Sequence, residues 1–162
     1  MRIELVTGDI TTERVDVLVN AANERLARGS GVCGAIFAAA GPQLDAACES
    51  LGGCATGDAK ITPGFELPAD WIVHAVGPVW QGGGAGEAAL LASAYRRALE
   101  VAEGVEARSV AFPAISTGIY GYPLDAATEI AVRTIRDTDT AVEEVRFVCF
   151  DDKTREVYDR LV

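Results

Sequence analysis

The sequence predicts a three-layer α/β domain, and three observations lead there. Short apolar runs rich in β-branched residues alternate along the chain with segments of helical period. Two glycine-bearing loops each follow such a run and precede a helical segment. The 162 residues are 49% hydrophobic, enough for a proper core, so residues 1–162 are expected to form a single domain.

The elements follow in order. Arg2-Ile3-Glu4-Leu5-Val6 alternates polar and apolar side chains, the pattern of a half-buried strand. Gly8 to Thr12 reads as a turn, with Thr11 or Thr12 capping a short helical turn through Glu13 to Val15. Val17-Leu18-Val19 is continuous and apolar, as in a strand buried on both faces. Ile36, Phe37, Ala40, Leu44, Cys48 and Leu51 recur at helical spacing between Val32 and Leu51, and Gly41-Pro42 should break that helix in two. Ala59 to Thr62 is a candidate strand whose return runs through Phe65-Glu66-Leu67. Trp71 to Val76 reads as a central strand, and Gln81 to Gly86 as a flexible surface loop. Glu87–Glu103 is a helix, Ser109–Phe112 a buried strand, Leu124–Asp137 a helix, Val145–Phe150 a strand and Lys153–Val162 a closing helix.

Composition excludes several classes. A formal charge of −10 argues against free nucleic acid, whose binding runs on Lys and Arg. No apolar run is long enough to span a membrane, and no basic-then-apolar leader precedes Gly8-Asp9; the expected location is cytoplasmic. Four scattered cysteines without a CxxC pair, and one histidine, argue against a four-ligand zinc site and a disulfide framework, so neither metal nor cofactor is expected. Nothing suggests a sticky edge or a heptad, so a monomer is the default.

Two stretches hold the candidate chemistry. The first, Asn20 to Gly34, reads NAANERLARGSGVCG: a strand ends in asparagines, passes Gly29-Ser30-Gly31 and enters a helix. Glycines admit a ligand close to the backbone, and a helix start offers unpaired N–H groups and partial positive charge, which suits phosphate. Arg28 is the only cation nearby. The second, Ser116-Thr117-Gly118-Ile119-Tyr120-Gly121, has the same place between strand and helix. Ligands of open α/β sheets bind beyond the carboxyl ends of strands, where two such loops can hold a diphosphate between them. Neither loop fits GxGxxG or GxxxxGK[ST]. His74 lies inside a strand with no carboxylate near it in sequence and reads as a core histidine.

Taken together, these pieces resemble a macrodomain, of the MacroD-type branch that includes bacterial O-acetyl-ADP-ribose deacetylases. The matching segments are Gly8-Asp9-Ile10-Thr11, Asn20-Ala21-Ala22-Asn23, Gly29-Ser30-Gly31-Val32, Ala38-Ala39-Ala40-Gly41-Pro42, Thr56-Gly57-Asp58-Ala59, His74-Ala75-Val76-Gly77-Pro78 and the long run Ala111 to Pro123. The resemblance implies a mixed, mainly parallel six-stranded sheet between helices. It also implies ADP-ribose, or an ADP-ribosylated protein or metabolite, as partner. In that reading Asp9 and the Ile10 backbone hold the adenine and Phe150 packs on it. Gly29, Ser30, Gly31 and Val32 face Ser116, Thr117, Gly118, Ile119 and Tyr120 across the diphosphate. Asn23 binds the distal ribose, Tyr120 closes over it, and Asn20 braces the loop through backbone hydrogen bonds.

The chain departs from the hydrolytic branch within the first glycine loop and the helix start after it. The family loop usually reads GGGGVDGAIH; here it reads Arg28-Gly29-Ser30-Gly31-Val32-Cys33-Gly34-Ala35-Ile36-Phe37. Cys33 stands where the resemblance places a catalytic aspartate, and Phe37 replaces a histidine. A neutral thiol accepts a proton from water poorly. Either Cys33 is a nucleophile at a helix start, or it is a small residue filling the loop; the second reading is favoured. Two functions stay open: a hydrolase of ADP-ribosyl esters, with Asn23, Cys33 and Tyr120 at the reacting end, or a non-catalytic ADP-ribose reader.

Overall fold

The alternation of apolar and β-branched runs becomes one sheet between two helical layers. The computed structural model describes residues 1–162. Its strands are β1 (Arg2–Thr7), β2 (Val17–Ala22), β3 (Ala59–Pro63), β4 (Trp71–Val76), β5 (Ser109–Phe112) and β6 (Glu144–Cys149). Its helices are α1 (Gly31–Ala40), α2 (Gln43–Leu51), α3 (Glu87–Glu103), α4 (Leu124–Asp137) and α5 (Asp152–Leu161). The strand order is β1-β6-β5-β2-β4-β3, and every pair is parallel except β3 with β4. This is the mixed, mainly parallel six-stranded sheet expected from the sequence.

Side-chain alternation divides the core. Val17, Val19, Val73, Ala75, Val110, Phe112, Val145 and Phe147 point to the layer of α3, α4 and α5. Leu18, Ile72, Val76, Ala111 and Val148 point the other way, to α1 and α2. No helix is long and apolar enough to cross a membrane.

Topology places the site. β2 pairs with β5 through Val17↔Val110 and Leu18↔Ala111, so the loops leaving both strands emerge side by side at the same end of the sheet. From that point β2 leads to β3 and β4 on one side, while β5 leads to β6 on the other, and such a reversal opens a crevice.

Several local expectations change. The 3₁₀ turn is Ile10–Thr12, and its cap is Asp9 rather than Thr11 or Thr12: Asp9 Oδ1 accepts from Thr11 N–H at 2.9 Å and from Thr11 Oγ1 at 2.7 Å. Asp9 wins because its carboxylate reaches forward to the amide two residues on. Phe65-Glu66-Leu67 is no return strand. Phe65 has φ 52°, Leu67 N–H closes a turn on Gly64 O, and β3 pairs with β4 instead. The helix break does fall at Gly41-Pro42, where Gly41 has φ 92°.

Gln81 to Gly86 is glycine-rich but anchored. Glu87 Oε2 accepts from Gln81 N–H and Gly83 N–H at 2.9 Å each, and Oε1 from Ala85 N–H at 2.6 Å. Those N–H groups, that of Gln81 foremost, draw the Glu87 carboxyl down to about 2 against the opposing effect of its burial. The loop is a cap folded around one carboxylate.

Candidate functional site

Backbone geometry builds the site before any side chain does. In the first loop, Gly31 takes φ 58° and α1 begins with Ser30 in the capping position, whose side chain makes no capping bond. The N–H groups of Gly29, Ser30, Gly31, Val32 and Cys33 therefore donate to nothing in the protein. Gly34 closes the turn, its N–H on Ser30 O at 3.3 Å.

The second loop does the same from the opposite wall. Ile115 N–H donates to the buried Tyr95 hydroxyl at 3.1 Å, which fixes where the loop starts. Thr117 Oγ1 donates to Ala114 O, Gly121 N–H to Gly118 O and Tyr122 N–H to Ser116 O. Between those anchors the consecutive N–H groups of Ser116, Thr117, Gly118, Ile119 and Tyr120 have no acceptor. Ser116 sits at φ 68°, and its buried Oγ is also without a partner. Gly77 leaves room for it: a Cβ there would lie 2.2 Å from Ser116 Oγ.

The two rows of free donors face one continuous cleft. One half, about 330 Å³, is lined by Asn23, Gly29, Ser30, Cys33, Ser116, Ile119 and Tyr120. The other, about 570 Å³, is lined by Gly8, Asp9, Ile10, Thr117, Val148, Phe150 and Asp151. Gly31, Val32, Pro113, Ala114 and Gly118 belong to both. No Lys or Arg lines either half. Arg28, the cation beside the first loop, turns away to pair with Asp45 at 3.1 Å and lies over the Phe37 ring. Attraction for an anion here is a matter of oriented N–H groups.

At the wider half, Phe150 falls just past the end of β6 and is 79% exposed, an apolar face open to a flat ligand. Asp9 has Oδ1 committed to Thr11, and its other oxygen is unengaged. Asp151, which caps α5 through Thr154 N–H, also lines this half; its place after Phe150 carried no sequence signal beyond an ordinary helix cap.

At the narrower half Asn20 does not take the bracing role expected of it, and Asn23 takes that role as well. Asn23 braces the loop: its Oδ1 accepts from Ala27 N–H at 3.0 Å and its Nδ2 donates to Ala27 O at 2.9 Å. One amide hydrogen and one lone pair remain for the cleft. Asn20 lies inside β2, fully buried, and makes no backbone bracing bond. Its Nδ2 donates to His74 Nδ1 at 3.1 Å and to Cys33 Sγ at 3.7 Å. The cause is register, which sets Asn20 of β2 opposite His74 of β4.

His74 is a core histidine, with Nε2 3.0 Å from Thr62 Oγ1 and 3.7 Å from Cys48 Sγ. Burial pushes its pKa down to about 4, so it is neutral at pH 7. Cys48, Cys54 and Cys149 are buried and free. Burial raises the Tyr120 phenol above its ordinary value, with smaller effects from Glu24 and Cys33. No group of three His, Cys, Asp or Glu side chains gathers in a metal-binding arrangement.

The family model for the macro domain matches residues 19–131, which include both loops. The chain belongs to the macro domain family. A macro domain-containing protein of Mesorhizobium japonicum is 57% identical over 164 residues, covering 99% of this chain and 93% of the relative. An O-acetyl-ADP-ribose deacetylase of Klebsiella pneumoniae is 52% identical over 166 residues, covering 98% and 95%. Among solved structures, the Oceanobacillus iheyensis macrodomain with ADP superposes with a TM-score of 0.93 at 41% identity, covering 98% of this chain and 88% of that one. The Trypanosoma brucei macrodomain in complex with ADP-ribose gives 0.90 at 37% identity, covering 98% and 68%. This macro domain therefore shares its whole architecture with ligand-bound members of the family. It differs from the usual loop of the hydrolytic branch at Cys33, whose Sγ lies 3.7 Å from the Asn20 amide and 3.8 Å from Ala27 O.

Proposed function

We propose that this macro domain binds ADP-ribose along the cleft and acts slowly on ADP-ribosyl esters, O-acetyl-ADP-ribose among them, at its narrower end. The observation that carries the binding is the pair of unpaired N–H rows, Gly29 to Cys33 and Ser116 to Tyr120, across a cleft without cationic side chains. A diphosphate satisfies both rows at once, and each hydrogen bond to a charged group contributes roughly 1.5–3 kcal/mol. That length of ligand sets an adenine beside Asp9, Ile10 and Phe150 and a distal ribose beside Asn23 and Tyr120. The unengaged oxygen of Asp9 accepts from the adenine amino group. The remaining Asn23 amide hydrogen and the Tyr120 hydroxyl hold the ribose.

The hydrolytic part rests on the deacetylase relative and on Asn23 and Tyr120 being present. A specific observation favours a second reading, that of a reader without turnover. No Asp or Glu lines the narrower half of the cleft, so no carboxylate stands ready to take a proton from water. General-base catalysis contributes about 10²–10⁴-fold, so the slow rate expected here relies on positioning and on the substrate's own phosphate oxygens.

Calorimetric titration with ADP-ribose followed by a time course on O-acetyl-ADP-ribose tests both parts. Saturable binding with product above the uncatalysed rate supports the hydrolase. Binding without product makes the protein a reader, and absence of binding overturns the proposal. Cys33→Asp should raise turnover by about 10²-fold or more if the missing carboxylate is what limits it. An unchanged rate in that variant would show that the carboxylate argument does not apply to this chain.

A further inference from the structure

The two halves of the Ser116–Tyr122 loop are held by different means. Its first half is tied to the body of the protein by the Tyr95 hydroxyl and by Thr117 Oγ1 on Ala114 O. Its last residues lean on Trp80. The main-chain N–H of Trp80 donates to the main-chain carbonyl of Tyr120 at 2.8 Å, and the Trp80 and Tyr122 rings lie 4.7 Å apart at 52°. Trp80 is only half-buried and begins a segment of glycines, which by composition alone would let it move.

The Glu87 carboxylate prevents that. It gathers the N–H groups of Gln81, Gly83 and Ala85, and it is 1% exposed at the first turn of α3. Gly83, at φ 93°, passes so close to the indole that an added Cβ would lie 3.1 Å from Trp80 Cη2. The carboxylate thus shapes the segment and the segment seats Trp80, whose main-chain N–H holds Tyr120 and whose indole packs on Tyr122.

We infer that Glu87 is a positioning residue for the narrower end of the cleft, acting through Trp80 to hold Tyr120 over the distal ribose. The inference rests on the ADP-ribose reading for its ligand and on the Glu87–Trp80–Tyr120 contacts for its mechanism. It separates the two ends of the site: the wider half has no contact with Trp80, so an occupant confined to it is indifferent to the state of Glu87.

The test compares ADP-ribose with AMP, which reaches the wider half alone, in the whole protein and in Glu87→Gln and Trp80→Leu. Ile135→Val, in the core of α4, serves as a control for general loosening. Expected are an approximately tenfold weaker ADP-ribose affinity in both variants, AMP affinity within about twofold of the unaltered protein, and no change of either in Ile135→Val. Equal losses for AMP and ADP-ribose, or no loss for ADP-ribose, overturn the inference. Hydrogen exchange at the Gly121 and Tyr122 amides supplies a readout without ligand. Faster exchange there in Glu87→Gln supports the clamp even if the unaltered protein binds no ADP-ribose, an outcome that would sink the functional reading alone. Unchanged exchange overturns the clamp.

Discussion

His74 makes a measurable link between acid and stability. It is the only histidine in the chain, so its ring can be followed without ambiguity. In the fold its only polar neighbours are Asn20, Thr62 and Cys48, none of which offers a negative charge to an imidazolium. Burial lowers its pKa from 6.5 to about 4. Below pH 6.5 the unfolded chain takes up a proton that the folded chain refuses until about pH 4. The penalty is absent above 6.5, grows as the pH falls through that window, and levels off below about 4. At about 1.36 kcal/mol per pH decade the window corresponds to about 3 kcal/mol. That is a large share of the 5–15 kcal/mol typical of a folded domain. Urea unfolding at pH 7.5, 5.5 and 4 should show the decline, alongside carboxylate effects concentrated at the acid end. His74→Gln, which cannot take up the proton, should be less stable at pH 7.5 but should lose about 3 kcal/mol less between 7.5 and 4. The ring resonances of the folded protein should show no titration midpoint above about 5. A midpoint near 6.5, or identical pH slopes for the two proteins, would refute the reasoning.

Two further predictions concern the cleft. Phe150→Ala should leave stability within about 0.5 kcal/mol, because the ring touches so little, yet weaken ADP-ribose by about 1–3 kcal/mol through lost stacking; melting and calorimetry on the same sample separate the two, and unchanged affinity removes Phe150 from the site. Gly34→Ala should weaken ADP-ribose by about tenfold or more, since its Cβ would lie 2.6 Å from Gly29 O and push the first loop out of shape; a variant that binds as the parent does would show that this loop is not the one gripping the ligand.

How much of this was legible depends on the range of the interactions. The glycine loops were, because their shape is encoded locally, by residues free to take positive φ between a strand and a helix start. The helix break was legible for the same reason, since Gly41 and Pro42 impose it on their own. Asn20 was not. Its neighbours are His74 and Cys33, and only the pairing of β2 with β4 brings His74 opposite it. The resemblance gave the bracing to Asn20, whereas Asn23 does it through Ala27. Gln81 to Gly86 misled in the other direction. Its composition is that of a mobile segment, and the one carboxylate that orders it reads as an ordinary helix-start glutamate. The cap of the first turn was lost to a competition between Asp9, Thr11 and Thr12 that side-chain reach decides. At the narrower end, Cys33 was visible as a letter, but the absence of any carboxylate from the lining there is a property of the assembled walls.

The pairing of β1 with β6 has a consequence for how the chain comes together. Arg2 meets Glu144 across 142 positions, so β1 leaves the ribosome long before the strand that receives it exists. At roughly 5–20 residues per second, its amides stay without a sheet for several seconds or more. β6 joins β5 on one side and β1 on the other, and α5 then packs back on β1. Closure of the sheet therefore waits on β6, and a nascent chain stopped before residue 144 carries an unclaimed strand, with Arg2 and Glu4 as the charges that discourage it from finding a neighbour in another molecule.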